Sequence, residues 1–427
     1  MYFAGALIIF IATLALIMIR PRGLNEASIA GIGAILMLLA GYVHWQQAVQ
    51  TLVHDWNVFL FFLGMMTLAA LADSAGFFNW TAAVAAYSAR GSTRRLFLNV
   101  FILGALISTF LSNDATALIL TPIVYTLVTR LRLRPLPFMF ACTFIADTAS
   151  FVLPVSNPIN IIVLSSFHLN LLEFMRLLLP TSLLVIAINI GAFFLLFRRD
   201  LRGQFEGKRL GTPDATIPHR PYFRYTCVVL VLTAIAYVIA SLDAWPLSLV
   251  AVGGGALLLA GALSYRRLEF KRLAHEISWP IFLFIAGMFL VVQGVENVGL
   301  TTIFASSLVG LTGRHLAAGV LVTTFGSAIG SNLINNVPMA VVMVATLHHL
   351  GQLHQRVQTG MAAATMLGCD LGPNITTVGS LATIMWMLIL RRKGLDVSSL
   401  DYFKIGIMVA PLMLLTGGLV IWGLAAA

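Results

Sequence analysis

The sequence predicts an all-α polytopic membrane protein, and three observations carry that prediction. Of 427 residues, 59% are hydrophobic and only 10% charged, against about 25% charged in an ordinary soluble domain. Apolar runs repeatedly approach or exceed the roughly 20 residues that cross a bilayer as a helix. The runs also come in two sets with matching polar interruptions, which predicts two repeats. A net charge of +10 does not indicate nucleic acid, because the basic residues sit in short clusters between apolar runs. Arg90/Arg94/Arg95, Arg130/Arg132/Arg134, Arg198/Arg199/Arg202, Arg266/Arg267/Lys271/Arg272 and Arg391/Arg392/Lys393, with Arg20/Arg22, read as juxtamembrane anchors.

In chain order, residues 1–19 lack a basic leader and a small-residue cleavage site, so they are expected to remain as the first span. Apolar runs follow at 27–43, 57–72, 96–112, 115–129, 137–166 and 174–197. Residues 198–224 are charged and rich in Gly and Pro, and read as a cytoplasmic linker. The second set runs 225–241, 246–264, 279–295, 316–334, 337–350, 358–390 and 405–425. Cys142, Cys227 and Cys369 form neither a disulfide framework nor a ligand spacing. Gly253–Gly255 lies inside an apolar run and reads as a packing feature.

WNVFLFFLGM from Trp56 matches WPIFLFIAGM from Trp279, 223 residues later, and the same shift places Asp147 on Asp370 and Asn157 on Ser380. A constant offset across separated motifs predicts one repeat at 1–197 and another at 225–427. Segment 96–129 has two short arms around Asn113-Asp114 and basic clusters at both ends, which suits a re-entrant hairpin. Segment 316–350, around Asn335-Asn336, is its counterpart. Segments 137–166 and 358–390 suit single spans with a polar break. Each repeat then holds about five spans plus one hairpin, an odd number, so the repeats are inverted. The basic residues then all face the cytoplasm except Arg176, Arg314 and Arg356. Inverted repeats with broken helices meeting at the midplane are a transporter architecture.

The polar breaks supply the candidate site. Segment 144–162 carries Asp147, Thr148, Ser150, Ser156, Asn157 and Asn160, interrupted by Pro154 and Pro158. A carboxylate at membrane depth costs at least about 2.5 kcal/mol, so it survives where it is buried in protein or lines a watery cavity. Asp114, Asp147 and Asp370 have no Lys or Arg near them in sequence, which favours ion, proton or substrate work. Ser112, Ser150, Ser156 and Thr383 are as well suited to capping backbone groups as to touching a substrate. Asp73 and Glu296 fall at helix ends, where capping or salt bridging is expected. His348, His349 and His354 are expected in an external loop.

At these residues the chain resembles a family. Asn113-Asp114 through Thr121-Pro122, Phe144–Ser150 with Val155–Asn157, Asn335–Pro338 and Gly368–Thr383 are similar to the arsenite efflux permease ArsB, of the ion-transporter superfamily. One departure is Pro158 after Asn157. The resemblance implies secondary active export of arsenite or antimonite across a prokaryotic inner membrane. The drive would be proton exchange alone or an ArsA-type ATPase, and the motion elevator-like, with hairpins and broken spans as the moving part. It implies no cofactor and no enzymatic reaction, admits a homodimer, and leaves a sodium–proton or carboxylate carrier of the same superfamily as the alternative. Arsenite near neutral pH is largely an uncharged trihydroxide, which asks for hydrogen-bond donors and acceptors. The residues expected to contact it are Asn113, Asp114, Thr116, Asp147, Thr148, Ser150, Asn157, Asn335, Asn336, Asp370, Thr377 and Ser380, with Cys369 as a soft ligand. Protons are expected at Asp114, Asp147 or Asp370.

Overall fold

The computed structural model describes residues 2–19, 25–167, 169, 171–206, 211–243, 245–312, 315–350 and 354–427. Among these the regular secondary structure is all helical, with one isolated antiparallel bridge between Ser92 and Gln204. The basic residues Arg20, Arg22 and Arg314 lie outside the described residues.

The first ten helices are α1 (Tyr2–Ile19), α2 (Glu26–Leu39), α3 (Trp45–His54), α4 (Trp56–Ser74), α5 (Phe77–Ser88), α6 (Thr93–Phe110), α7 (Thr121–Arg130), α8 (Pro135–Thr148), α9 (Pro158–Ser166) and α10 (Leu171–Leu196). The next ten are α11 (Arg220–Leu242), α12 (Leu247–Ser264), α13 (Phe270–Glu276), α14 (Trp279–Asn297), α15 (Leu300–Thr312), α16 (Leu316–Ile334), α17 (Asn336–His348), α18 (Gln355–Leu371), α19 (Leu381–Arg392) and α20 (Ser399–Ala426). Eight of the described helices are long and apolar enough to cross a membrane.

Local chemistry sets these boundaries. Asn25, Ser92, Asn157, Ser380 and Ser398 each accept a backbone N–H in the first turn of the helix they precede. Gly76 and Gly299, 223 residues apart, take left-handed conformations (φ +86° and +84°) that turn α4 into α5 and α14 into α15. Helix α11 begins at Arg220, inside the stretch read from sequence as linker. Pro221 suits a first helical turn, and His219 Nδ1 accepts the Tyr222 N–H.

Packing divides the helices into two groups. In one, α4 lies along α12 and α14 along α2, with α1, α3, α11 and α13 around them. The crossings are close because Gly64 faces the Ala251 backbone and Gly287 the Ala30 backbone; a Cβ on Gly287 would stand 2.6 Å from the Ala30 carbonyl carbon. In the other, α6 packs on α8, α16 on α18, and α10 on α20. Phe140, Phe144, Phe193, Trp386 and Tyr402 join α8, α10, α19 and α20, with ring centroids 4.9–6.0 Å apart in four of the pairs. Aromatic rings interlocked in this way favour one rigid packing.

Contacts at the helix ends fix directions. Asp73, at the end of α4, is bridged at 2.8 Å to Arg272, just before α14. Asn297, at the end of α14, meets Tyr42 and Gln47, and Gln293 meets Thr51, in the segment that leads through α3 into α4. Helices α4 and α14 therefore run in opposite directions. From the middle of α7, Tyr125 Oη donates to the Lys393 carbonyl oxygen, just past α19. The end of α17 lies by Phe167, which stacks on His348 at 5.0 Å. Arg176 and Arg356 both reach carbonyls at the C-terminus of α20.

Candidate functional site

Four irregular segments converge between the two groups. The α6–α7 tip turns at Ser112, whose Oγ accepts the Ala115 N–H, and continues through a wide π-type turn over Ala115–Leu120. The α16–α17 tip turns at Asn335, with φ +75° and ψ 155°. That conformation is costly for a side-chain-bearing residue, by about 1–3 kcal/mol, and persists where its surroundings hold it. The α8–α9 break spans 149–157 and the α18–α19 break 372–380.

The second tip is fastened to its break. Asn332 Nδ2 donates to the carbonyls of Ala328 and Gly372, while its Oδ1 accepts from Thr376 N–H and Oγ1–H at 3.0 and 2.7 Å. Asn336 N–H donates to the Gly379 carbonyl at 3.0 Å. At the first tip, Ser156 Oγ donates to the Thr109 carbonyl at 3.0 Å. The two breaks are clasped to each other by Asn157, whose Nδ2 donates to Asp370 Oδ1 at 2.7 Å.

The tips and breaks enclose a cavity of about 40 Å³, room for about three water-sized groups. Its polar lining is Asn113, Asp114, Asn157, Asn335, Asn336 and Ser380, and α4 and α14 close it with Phe62, Ile281 and Phe284. No Lys or Arg is among its described lining residues. Six of the thirteen residues expected from the sequence thus meet in one place. Just outside this lining, Asp147 interacts with Asn113 and Asp114, and Asp370 with Ser150 and Asp147. Asp147 is the carboxylate that neighbours both of the others. Asp147 Oδ2 and Asp370 Oδ2 find no hydrogen-bond partner among the described residues.

The remaining expected residues sit off the cavity lining. Thr116 Oγ1 accepts from Ser108 at 2.8 Å inside the first hairpin. Thr148 Oγ1 donates to the Phe144 carbonyl and accepts from Asn189 and Asn374. Ser150 Oγ donates to the Asp147 carbonyl, and Thr377 Oγ1 to Ser399 Oγ at 3.3 Å. Cys369 is buried beside Ser327 and Ser331. Asp73 does make a salt bridge, and Glu296 lies 3.9 Å from His349. Sequence reasoning missed the working partners Asn332, Asn374 and Asn189. The lone Asn189 in the otherwise apolar second half of α10, residues 183–196, was a legible signal.

Two larger spaces flank the lining. One, of about 810 Å³, opens near Asp73, His275 and Glu276 and descends to Ser112 and Asp114. It shares Phe62, Asp114, Pro158, Ile281 and Ala382 with the small cavity. The other, about 400 Å³ near Asp55, Trp56 and Trp245, contains none of the polar tip residues. The larger space shares part of its wall with the small cavity, and its Asp73–Glu276 end lies beside Arg272 of the Arg/Lys cluster.

A model of the ArsB family, described as arsenical pump membrane protein, matches residues 5–423. An arsenical pump membrane protein of Yersinia enterocolitica is 35% identical over 421 residues, covering 97% of each chain. One from Escherichia coli is 34% identical with the same coverage, and a putative one from Bacillus subtilis is 29% identical over 95% of this chain and 96% of its own. Among solved structures, the YdaH transporter of Alcanivorax borkumensis, whose topology is described as unusual, is similar in fold. It has a TM-score of 0.60 at 13% identity, covering 99% of this chain and 97% of that one. With an all-helical membrane architecture and a family match along nearly its whole length, the chain belongs to the ArsB family of arsenical pump membrane proteins.

Proposed function

We propose that the protein exports arsenite and antimonite as neutral trihydroxides, in exchange for protons. The observation that carries this reading is the small cavity where both tips and both breaks meet, lined by amides, a hydroxyl and a carboxylate and free of Lys and Arg among its described lining residues. Such a lining offers a neutral polyol both donors and acceptors. A carboxylate substrate would instead meet Asp114 with no cation to offset it. A three-thiol site would hold As(III) too tightly for release, and Cys142, Cys227 and Cys369 are dispersed.

The proton role falls to Asp114, Asp147 and Asp370, since carboxylates without cations at membrane depth mark proton relays. Among them, Asp370 is engaged by Asn157. Asp147 neighbours Asn113, two other carboxylates and Tyr402, and its Oδ2 has no hydrogen-bond partner among the described residues. Asp147 is therefore assigned the exchanged proton and Asp370 the task of joining the two breaks.

The motion proposed is elevator-like. The group containing α6–α10 and α16–α20 moves against the group containing α4 and α14, and the repeats 1–197 and 225–427 are inverted about the membrane plane. The opposite directions of α4 and α14 and the vestibule that shares lining with the cavity support this reading. The protein works alone by proton exchange and accepts an ArsA-type ATPase where one is present.

Arsenite uptake into everted vesicles, with ATP absent and sodium varied, tests the reading. Accumulation driven by an acid lumen and indifferent to sodium is expected; sodium dependence without a pH effect overturns it.

A further inference from the structure

The vestibule is far larger than the proposed substrate needs, and its chemistry is divided along its length. Its volume is about 810 Å³ against about 40 Å³ for the cavity at its base. Its polar groups are Asp73, Asn79, His275, Glu276 and Ser278 on the side of the α4 end and α13, and Ser112 and Asp114 at the floor. Between them the walls are apolar, with Phe61, Met65, Met66, Leu118 and Met385 among them. An apolar body with a few polar groups at fixed points is the anatomy of a small-molecule pocket, and the volume lies within the usual 300–1,000 Å³.

Charge narrows the occupant. Among the described lining residues none is Lys or Arg, while Asp73, Asp114 and Glu276 are acidic. Arg272, beside the Asp73–Glu276 end, is engaged by both of these carboxylates, so an organic anion finds no uncommitted cation in the described lining. A neutral molecule with a small dihydroxy head and an apolar body matches both parts. Its head would reach the shared floor of Phe62, Asp114, Pro158 and Ala382, and its body would lie along the methionine and phenylalanine walls.

Those walls belong to different groups of helices. Phe61, Met65 and Met66 come from α4, whereas Leu118 and Met385 come from the first hairpin and α19. A body lodged between them stands where the two groups would have to close on each other.

We propose that the vestibule is a binding site for neutral aryl dihydroxides, with monoaryl arsenous acids as the type, and that these act from the Arg/Lys-rich face as wedges that block arsenite movement without being carried. The proposal rests on the exporter reading above. Burying one aromatic ring gives binding about tenfold or more tighter than arsenite itself.

The test measures arsenite uptake in everted vesicles with phenylarsenous acid and phenylboronic acid as separate probes, the latter having the same neutral head without affinity for thiols. Heats of binding of both probes to the purified protein are measured in parallel, so that a protein with no arsenite transport still reports on the site. Both probes are expected to compete with arsenite and to wash out on dilution. Met66→Ala with Met385→Ala should weaken them at least about fivefold, with the KM for arsenite unchanged. Inhibition by phenylarsenous acid alone that survives dilution marks thiol capture and overturns the proposal. So does the absence of binding by both probes, inhibition indifferent to the methionine variants, or uptake of the labelled aryl compound into the vesicles. Loss of arsenite uptake with binding of both probes intact would instead sink the exporter reading.

Discussion

Asn335 illustrates how single residues carry the site. Its backbone occupies a region suited to glycine, and its side chain lines the cavity. Asn335→Gly should therefore stabilise the fold by about 1 kcal/mol through relief of strain, while arsenite transport falls at least about tenfold. Thermal unfolding in detergent and vesicle uptake read the two effects separately; loss of stability together with transport would make Asn335 a purely structural residue. Asn332 is its opposite in kind. It lies outside the cavity lining and holds the tip to the break through both ends of its amide. Truncation to alanine should cost about 1–3 kcal/mol for the half-buried carbonyl and hydroxyl left behind. The same local view explains what sequence could and could not reveal. Asn113, Asp114, Asn157, Asn335, Asn336 and Ser380 were legible because polar residues inside apolar runs need a reason to be there. That Thr148 and Thr116 would turn toward helix backbones and neighbouring side chains was not legible, since a hydroxyl satisfies itself locally as readily as it contacts a ligand.

Elements are positioned mainly by close packing. Gly64 and Gly287 occupy matching places in the two copies of the tryptophan-led motif, and each lets its helix approach the backbone of another, Ala251 on α12 and Ala30 on α2. Gly287→Leu would force α14 away from α2. It should destabilise the protein by about 1–3 kcal/mol, read as a lower unfolding temperature, whereas Gly253→Leu, where nothing stands within 4 Å, should be nearly neutral. A constant 223-residue offset made the paired helices readable from sequence, and residue type made the breaks readable. The offset does not say which helix packs on which. The exchange by which α4 pairs with α12, and α14 with α2, depends on shape complementarity between faces far apart in the chain. The start of α11 at Arg220 was similarly hidden, because Pro221 reads as loop until a cap places it in a first turn.

At the scale of the molecule, the vestibule shares wall with the cavity and has its Asp73–Glu276 end beside Arg272 of the Arg/Lys cluster. Ser112, on the vestibule wall, reports opening to that side directly. In a Cys227→Ser background, Ser112→Cys should react with a membrane-impermeant thiol reagent at least about tenfold faster in everted vesicles than in right-side-out ones. Equal rates from both sides would contradict the one-sided opening. The two packing groups, the shared cavity and the three carboxylates together make one claim, that a proton at Asp147 is exchanged for a neutral arsenical. The most direct measurement is arsenite accumulation by the purified protein in liposomes, at a range of internal pH values, for wild type, Asp147→Asn and Asp370→Asn. With one proton exchanged per arsenite and the protein's external face inward, an acid interior supports up to about tenfold accumulation per pH unit. Wild type should follow that dependence, and Asp147→Asn should lose it while remaining folded. Asp370→Asn, which keeps an acceptor for Asn157 but loses the charge that strengthens the bond, should lower uptake at every pH. An Asp147→Asn protein that accumulates arsenite with the wild-type response to pH would contradict the account.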